Sequence, residues 1–328
     1  MAYNKDNYFR IKDEFSHKHR DRIEEAEQRK TLLENKYPEL AKIDTTLRLT
    51  GMEIYSSMFG TGSAEEIEKI KKKNEECQQA QADFLKKLGL PSDYLLPKFD
   101  CDICQDRGTV GLRMCDCMKK QLIMAGYESS GMGNLIRSCS FDNFDLNAFA
   151  GNPDIQANMQ MVYNICRDYA HNFTTDAEQI CGGQINLIMT GATGLGKTHL
   201  SAAITKTLID RGYDVVYDTA LNIFSAFEDE RFGVDRYTEE KKTPKYFECD
   251  VLIMDDLGTE ITNQFTAMVL FNLINTRLNR KKAMIINTNL SLKELRDRYS
   301  DRITSRILGE FRPLQFAGKD YRSLRLRG

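Results

Sequence analysis

The chain has 328 residues, 41% hydrophobic and 29% charged, with a formal net charge of −2 and a pI near 6.2. That length allows one large core plus a smaller unit, and no apolar run approaches the ~20 residues that span a bilayer. The near-neutral balance excludes a global pull towards nucleic acid, so any such contact must use local basic patches.

The start MAYNKDNYFRIKDEF lacks the apolar core of a secretion signal. A cytoplasmic protein without a membrane partner is therefore expected. Residues 6–89 are rich in Glu, Lys, Gln and Leu and are broken at Lys36-Tyr37-Pro38 and at Gly60-Thr61-Gly62-Ser63, which predicts three helices. The second carries Leu40, Ile43, Leu47, Ile54 and Met58 close to helical spacing, a stripe that reads as the core of a helical hairpin or as a docking face for a partner. A proline-bounded segment, 91–97, leads to the cysteines.

Cys101-x₂-Cys104-x₁₀-Cys115-x-Cys117 gathers four of the nine cysteines around the turn Asp106-Arg107-Gly108 and Gly111. Two close thiolate pairs on short turns suit a closed tetrahedral Zn²⁺ site of structural type. Disulfides and free thiols are the alternatives, and a reducing cytoplasm disfavours the former. Cys77, Cys139, Cys166, Cys181 and Cys249 are scattered and read as core or incidental residues.

From about residue 140 the character becomes α/β. Apolar runs at 185–190, 214–217, 250–254 and 283–287 alternate with helical stretches at 154–172, 198–211, 220–228 and 262–279, the pattern of a parallel sheet with crossover helices. After the first run comes Gly191-Ala192-Thr193-Gly194-Leu195-Gly196-Lys197-Thr198, which fits GxxxxGK[ST] between a strand and a helix. The glycines let backbone N–H groups and a helix N-terminus converge on phosphate oxygens. Lys197 would neutralise the β/γ-phosphates of ATP and Thr198 would ligate Mg²⁺.

The run 249–256 ends in Asp255 and Asp256, as a Walker B strand does. Asp255 is placed to hold Mg²⁺ beside Thr198, and Asp256 to orient or deprotonate the attacking water, with Glu260 in reserve. The strand 283–287 leads to Asn289, a sensor 1 candidate for the γ-phosphate or the water, with Asn287 as the alternative. Arg302 and Arg306, four apart and so on one helix face, suggest a finger supplied in trans to a neighbouring subunit, and Arg322 a sensor 2 contact. His199 reads as a local packing residue. Two basic clusters, Arg277, Arg280, Lys281 and Lys282, and Arg312, Lys319, Arg322, Arg325 and Arg327, read equally as solvated charge. Residues 221–245 mix Phe224, Phe227, Phe232 and Tyr237 with Arg231, Arg236, Lys241, Lys242 and Lys245, the ingredients of a single-stranded DNA surface, but acidic residues among them suit a plain helix and loop as well.

Together, CDICQDRGTVGLRMCDC, SFDNFDL, GATGLGKTHLSAAI, CDVLIMDDLGTE, INTNLSLKEL, YSDRITSRI and FAGKDYR resemble the AAA+ helicase-loader ATPases of the DnaC/DnaI type and the related IstB-like transposition helpers. The resemblance implies an α/β, AAA+ P-loop parallel sheet flanked by helices and lacking a full C-terminal lid, preceded by a helical region and a small zinc module. The expected domains are a partner-binding region at 1–97, a four-cysteine zinc module at 98–120, a linker at 121–150 and the ATPase at 151–328. The implied activity is ATP-dependent loading of a replicative hexameric helicase, with single-stranded DNA contact and self-association through ATPase domains. A transposition helper, or a nucleotide-switched zinc adaptor without significant turnover, is the alternative.

Overall fold

The computed structural model describes residues 3–59, 64–131, 133–175, 185–232 and 242–320. Helices α1 (Lys5–Lys36), α2 (Pro38–Phe59) and α3 (Ala64–Lys87) open the chain, followed by the hairpin β1 (Thr109–Val110) and β2 (Arg113–Met114). Then come α4 (Asp116–Ser129), α5 (Gly133–Ser138), a 3-10 turn at Leu146–Phe149 and α6 (Pro153–Asn172). The rest is β3 (Asn186–Thr190), α7 (Lys197–Asp210), β4 (Val215–Thr219), α8 (Ala220–Phe232), α9 (Pro244–Glu248), β5 (Val251–Leu257), α10 (Gln264–Asn279), β6 (Ala283–Thr288), α11 (Leu292–Arg298), α12 (Asp301–Glu310) and β7 (Phe311–Gln315). Among the described residues no helix is long and apolar enough to cross a membrane.

Two compact units result, Arg10–Lys119 and Lys120–Gly328 together with Met1–Phe9. In the first, the helical hairpin buries Leu40 and Leu85 completely. Asn74 of α3 donates to Thr50 Oγ1 of α2 at 2.7 Å, and Lys30 of α1 pairs with the nearly buried Asp44 of α2 at 2.5 Å. The proline-bounded segment is tied to α1, because Arg29 donates to the carbonyls of Tyr94 and Leu96.

The second unit holds a five-stranded, wholly parallel sheet in the order β4-β5-β6-β3-β7. Strand side chains alternate between faces, and the sequence uses that alternation strictly. Leu187, Met189, Val215, Tyr217, Val251, Ile253, Ala283 and Ile285 meet α6 and α7 on one face. Ile188, Val216, Leu252, Met254, Met284 and Ile286 meet α8, α10 and α12 on the other. With both faces covered, the central strands are continuous apolar runs. The edge strand β7 was not among the predicted strands. Its sequence FRPLQ contains Pro313, a residue tolerated at a sheet edge, and it pairs with β3 alone.

Three expectations are corrected here. Residues 121–150 are not a spacer, since Tyr127, Phe141 and Phe149 belong to the core under α6 and β3. Arg277 is no part of a basic patch. It is 1% exposed and donates to the carbonyls of Tyr246, Cys249, Asp250 and Ala283, while Lys282 pairs with Asp250 at 2.8 Å. Phe224 is core and offers no stacking surface, while the half-buried Phe227 already stacks on Tyr246. Arg236, Tyr237 and Lys241 lie outside the described residues.

The first residues of the chain group with the sheet unit, where Asn4 donates to the Asp214 carboxylate at 3.3 Å. Burial pushes the Asp214 carboxyl up to about 6 from 3.8, against the Asn4 amide, which favours the ionised form. Folding therefore favours protonated Asp214, and ionisation costs stability as pH rises from about 4 to about 6. Asp214→Asn removes that cost while keeping an acceptor for Asn4. In urea titrations it is expected to gain up to about 3 kcal/mol at pH 7.5, with the advantage vanishing below about pH 4.

Candidate functional site

The phosphate loop joins the end of β3 to the start of α7. Leu195 is buried and pins the loop to the core, whereas Ala192 and Thr193 are exposed. Gly196 precedes the helix with φ +92°, and a Cβ there would lie 2.7 Å from the Phe144 ring. Glycine is required on both counts. Because α7 begins at Lys197, the helix N-terminus points its free N–H groups at the loop.

Lys197 is 5% exposed. Its ammonium donates to Gly191 O at 2.6 Å, Ala192 O at 2.8 Å and Asn289 Oδ1 at 2.7 Å. The Asn289 position follows from strand order, since β6 lies between β3 and β5 and its end faces both the loop and the acidic pair.

Asp255 lies on the α7 face by the same alternation that places Val251 and Ile253 there. Its carboxylate is 4% exposed and accepts four hydrogen bonds. Oδ2 receives Thr198 Oγ1 at 3.1 Å and the Tyr217 hydroxyl at 2.6 Å, and Oδ1 receives Asn287 Nδ2 at 2.9 Å and the Asp256 amide at 3.0 Å. Asn287 also exchanges hydrogen bonds with Ser201, one turn beyond Thr198 on α7. Burial, then the Asp255 charge, pushes the Tyr217 phenol well above its ordinary value. Thus Thr198 and Asp255 stand together, with the oxygen chemistry a divalent cation prefers.

Asp256 takes a left-handed backbone, φ +55°, at the irregularity in β5 between Met254 and Leu257. Glu260 is withdrawn from the reserve role, because it is 3% exposed and its carboxylate accepts from the Gly258 amide at 2.8 Å and from the Tyr299 hydroxyl. Arg298 adds bonds to Glu260 O and Thr262 Oγ1, bracing the loop after β5. Arg302 and Arg306 sit on the exposed face of α12, opposite the buried Ile303, Thr304 and Ile307. Among the described residues no hydrogen bond links them to Asp255 or Asn289. Arg322 lies outside the described residues, but Asp320 reaches the loop, where a Cβ on Gly194 would fall 1.8 Å from its Oδ1. His199 bonds to Ser140 O at 3.0 Å and packs edge-on to Phe144, a local role.

In the other unit, Cys101, Cys104, Cys115 and Cys117 bring their sulfurs within 4.8 Å of one another, with Cys101 and Cys115 3.8 Å apart and Cys104 and Cys117 3.4 Å apart. No disulfide joins any of the four. A tetrahedral site with metal–sulfur bonds of ~2.3 Å spaces its sulfurs ~3.8 Å apart, so the set fits a metal ion. The Cys104 backbone amide and neighbouring thiols lower the Cys101 thiol to about 7, while burial pushes Cys104 and Cys117 up. Asp106 shapes the first knuckle. Its buried carboxylate accepts the amides of Asp100 at 2.9 Å and Cys101 at 3.0 Å, and its own backbone is left-handed, φ +57°.

Tyr217 and Ser201 were not singled out from sequence, and Asp106 only as part of a turn. Ser201, three residues after Thr198, was within reach of helical periodicity, and Asp106 of its place between the cysteine pairs. Tyr217 carries no local signal, since its partner is 38 positions away.

Residues 169–323 match the family of IstB-like ATP binding proteins. The chain is 26% identical to the replicative helicase loader DnaC of Buchnera aphidicola subsp. Baizongia pistaciae over 250 residues, 73% of this chain and 94% of that protein. It is also 26% identical to the replicative helicase loader DnaC of Escherichia coli (strain K12), over 60% of this chain and 74% of that one. A crystal structure of the DnaC helicase loader aligns with a TM-score of 0.46 at 22% identity, over 56% of this chain and 99% of its own. Over residues 169–323 the chain is thus similar to IstB-like ATP binding proteins, and over a longer stretch to replicative helicase loaders named DnaC.

Proposed function

We propose that this protein binds and hydrolyses ATP and uses the cycle to engage a replicative hexameric DNA helicase and pass single-stranded DNA to it. The observation that carries the ATPase reading is the meeting of Lys197, Thr198, Asp255 and Asn289 at one strand-end site. The helicase reading rests on likeness to loaders across 94% of a relative's length.

In this reading Lys197 and the loop amides bind the β- and γ-phosphates. Thr198 and Asp255 hold Mg²⁺, which when bound neutralises charge developing on the phosphate oxygens. Asp256 accepts the proton of the attacking water, and Asn289 orients that water or the γ-phosphate. Arg302 or Arg306, exposed on α12, reaches the site of a neighbouring copy, so the active form is an assembly of ATPase domains. Residues 1–97 grip the helicase, and the four cysteines hold a structural Zn²⁺.

Two substitutions separate binding from turnover. Lys197→Ala is expected to weaken ATP binding about 100-fold, as removing one partner of a buried charged contact does. Asp256→Asn should keep binding and slow single-turnover hydrolysis at least about 100-fold. Hydrolysis at the wild-type rate in Asp256→Asn would remove that residue from the mechanism.

Capture of partners from source-cell lysate, with ATP and with ADP, tests the biological role. A replicative helicase retained in one nucleotide state and released in the other is the expected outcome, and retention of a transposase would replace the loader reading with the transposition-helper one. Elemental analysis of the purified chain should return one zinc per chain, and Cys104→Ser should lower both zinc content and the thermal midpoint of the helical unit. An unaltered midpoint after complete chelation would argue against a structural metal.

A further inference from the structure

The Asp255 carboxylate owes part of its orientation to a residue outside every nucleotide motif. Tyr217 is on the edge strand β4, whose Thr219 is the register partner of Asp255. Two residues earlier and on the same face, the Tyr217 hydroxyl donates to Asp255 Oδ2 at 2.6 Å. The ring is 1% exposed and cannot swing away without opening the core. Its backbone is fixed too, because its amide donates to Ser130 O at 2.9 Å and Gly131 packs against its carbonyl, where a Cβ would come within 2.8 Å.

We propose that Tyr217 is a positioning residue for the divalent cation, holding the Asp255 carboxylate in the rotamer that faces Thr198. The proposal rests on the ATPase reading given above and adds to it a determinant of metal affinity. Oδ2 is shared between a mobile donor, the Thr198 hydroxyl at 3.1 Å, and an immobile one. Thr198 would have to turn its oxygen towards a bound cation, whereas Tyr217 would keep donating to Oδ2 from a fixed position. Asn287 does the same for Oδ1 from β6 at 2.9 Å. Each Asp255 oxygen is thus held by a buried side chain from a neighbouring strand.

Tyr217→Phe keeps the ring in the core and removes only the donor. The full chain is titrated with Mn²⁺ in the presence of a non-hydrolysable ATP analogue, free Mn²⁺ being read by electron paramagnetic resonance. Mg²⁺ dependence of hydrolysis is measured in parallel. The Mn²⁺ dissociation constant and the half-saturating Mg²⁺ should both rise about 10-fold, the size of one hydrogen bond to a charged group, while kcat at saturating Mg²⁺ stays within about twofold and metal-free analogue affinity is unchanged. Unchanged metal affinity would overturn the proposal. So would a fall in kcat without a greater metal demand, or weaker analogue binding without metal, which marks general damage to the site. A wild-type chain that takes up no Mn²⁺ with the analogue fails the ATPase reading itself, a result distinct from any of these.

Discussion

A carboxylate that is 4% exposed at the end of a β-strand is the constraint around which the sheet unit is arranged. A buried charge without partners costs several kcal/mol, so each Asp255 oxygen must find donors. They come from four places: Tyr217 on β4, Thr198 on α7, Asn287 on β6 and the amide of the next residue. This set converges only if β5 lies between β4 and β6. Strand order and side-chain alternation are therefore conditions for the site as well as for the core.

Among the buried charged groups of this unit, Asp255, Lys197 and Arg277 are each solved differently. Asp255 is surrounded by neutral donors. Lys197 is held by two loop carbonyls and an asparagine oxygen, neutral acceptors that a charged phosphate oxygen outcompetes. Arg277 directs its guanidinium at the Tyr246 carbonyl of α9 and at three carbonyls where β5 and β6 begin, acceptors that strand and helix ends otherwise leave without donors. The first two arrangements suit a charge meant for a ligand, and the third uses one purely to close the fold.

These differences mark what the sequence could reveal. Strands β3 to β6 were legible because a strand covered on both faces is a continuous apolar run. β7 was not, since Arg312 and Pro313 interrupt its apolar content and only pairing with β3 makes it a strand. The phosphate loop, the acidic pair and the cysteine spacing were legible because their chemistry is local. Arg277 was misread for the opposite reason: three basic neighbours suggest a surface, and only tertiary carbonyls show that it faces inward. Phe224 and Phe227 stand beside basic residues in the sequence, but helix rotation puts Phe224 in the core and Phe227 against it. Tyr217 is an ordinary strand tyrosine until register brings Asp255 beside it.

The cysteine cluster answers a different physical need. Among the described residues of Arg10–Lys119 the buried apolar side chains are Ile11, Phe15, Ala26, Leu40, Leu85, Cys104, Cys115 and Met118, a thin core for long helices rich in charged residues. Two of those side chains, Phe15 and Met118, close directly over Gly108 in the knuckle turn, where a Cβ would come within 3.2 Å and 2.8 Å of them. The turn is therefore both the cysteine scaffold and the floor of the small core. Small cores of this kind gain most from a cross-link that adds stability without adding apolar area. Coordination of the four sulfurs by the proposed zinc would supply it where the apolar packing is thinnest, and Asp106 already orders the Cys101 amide for that geometry.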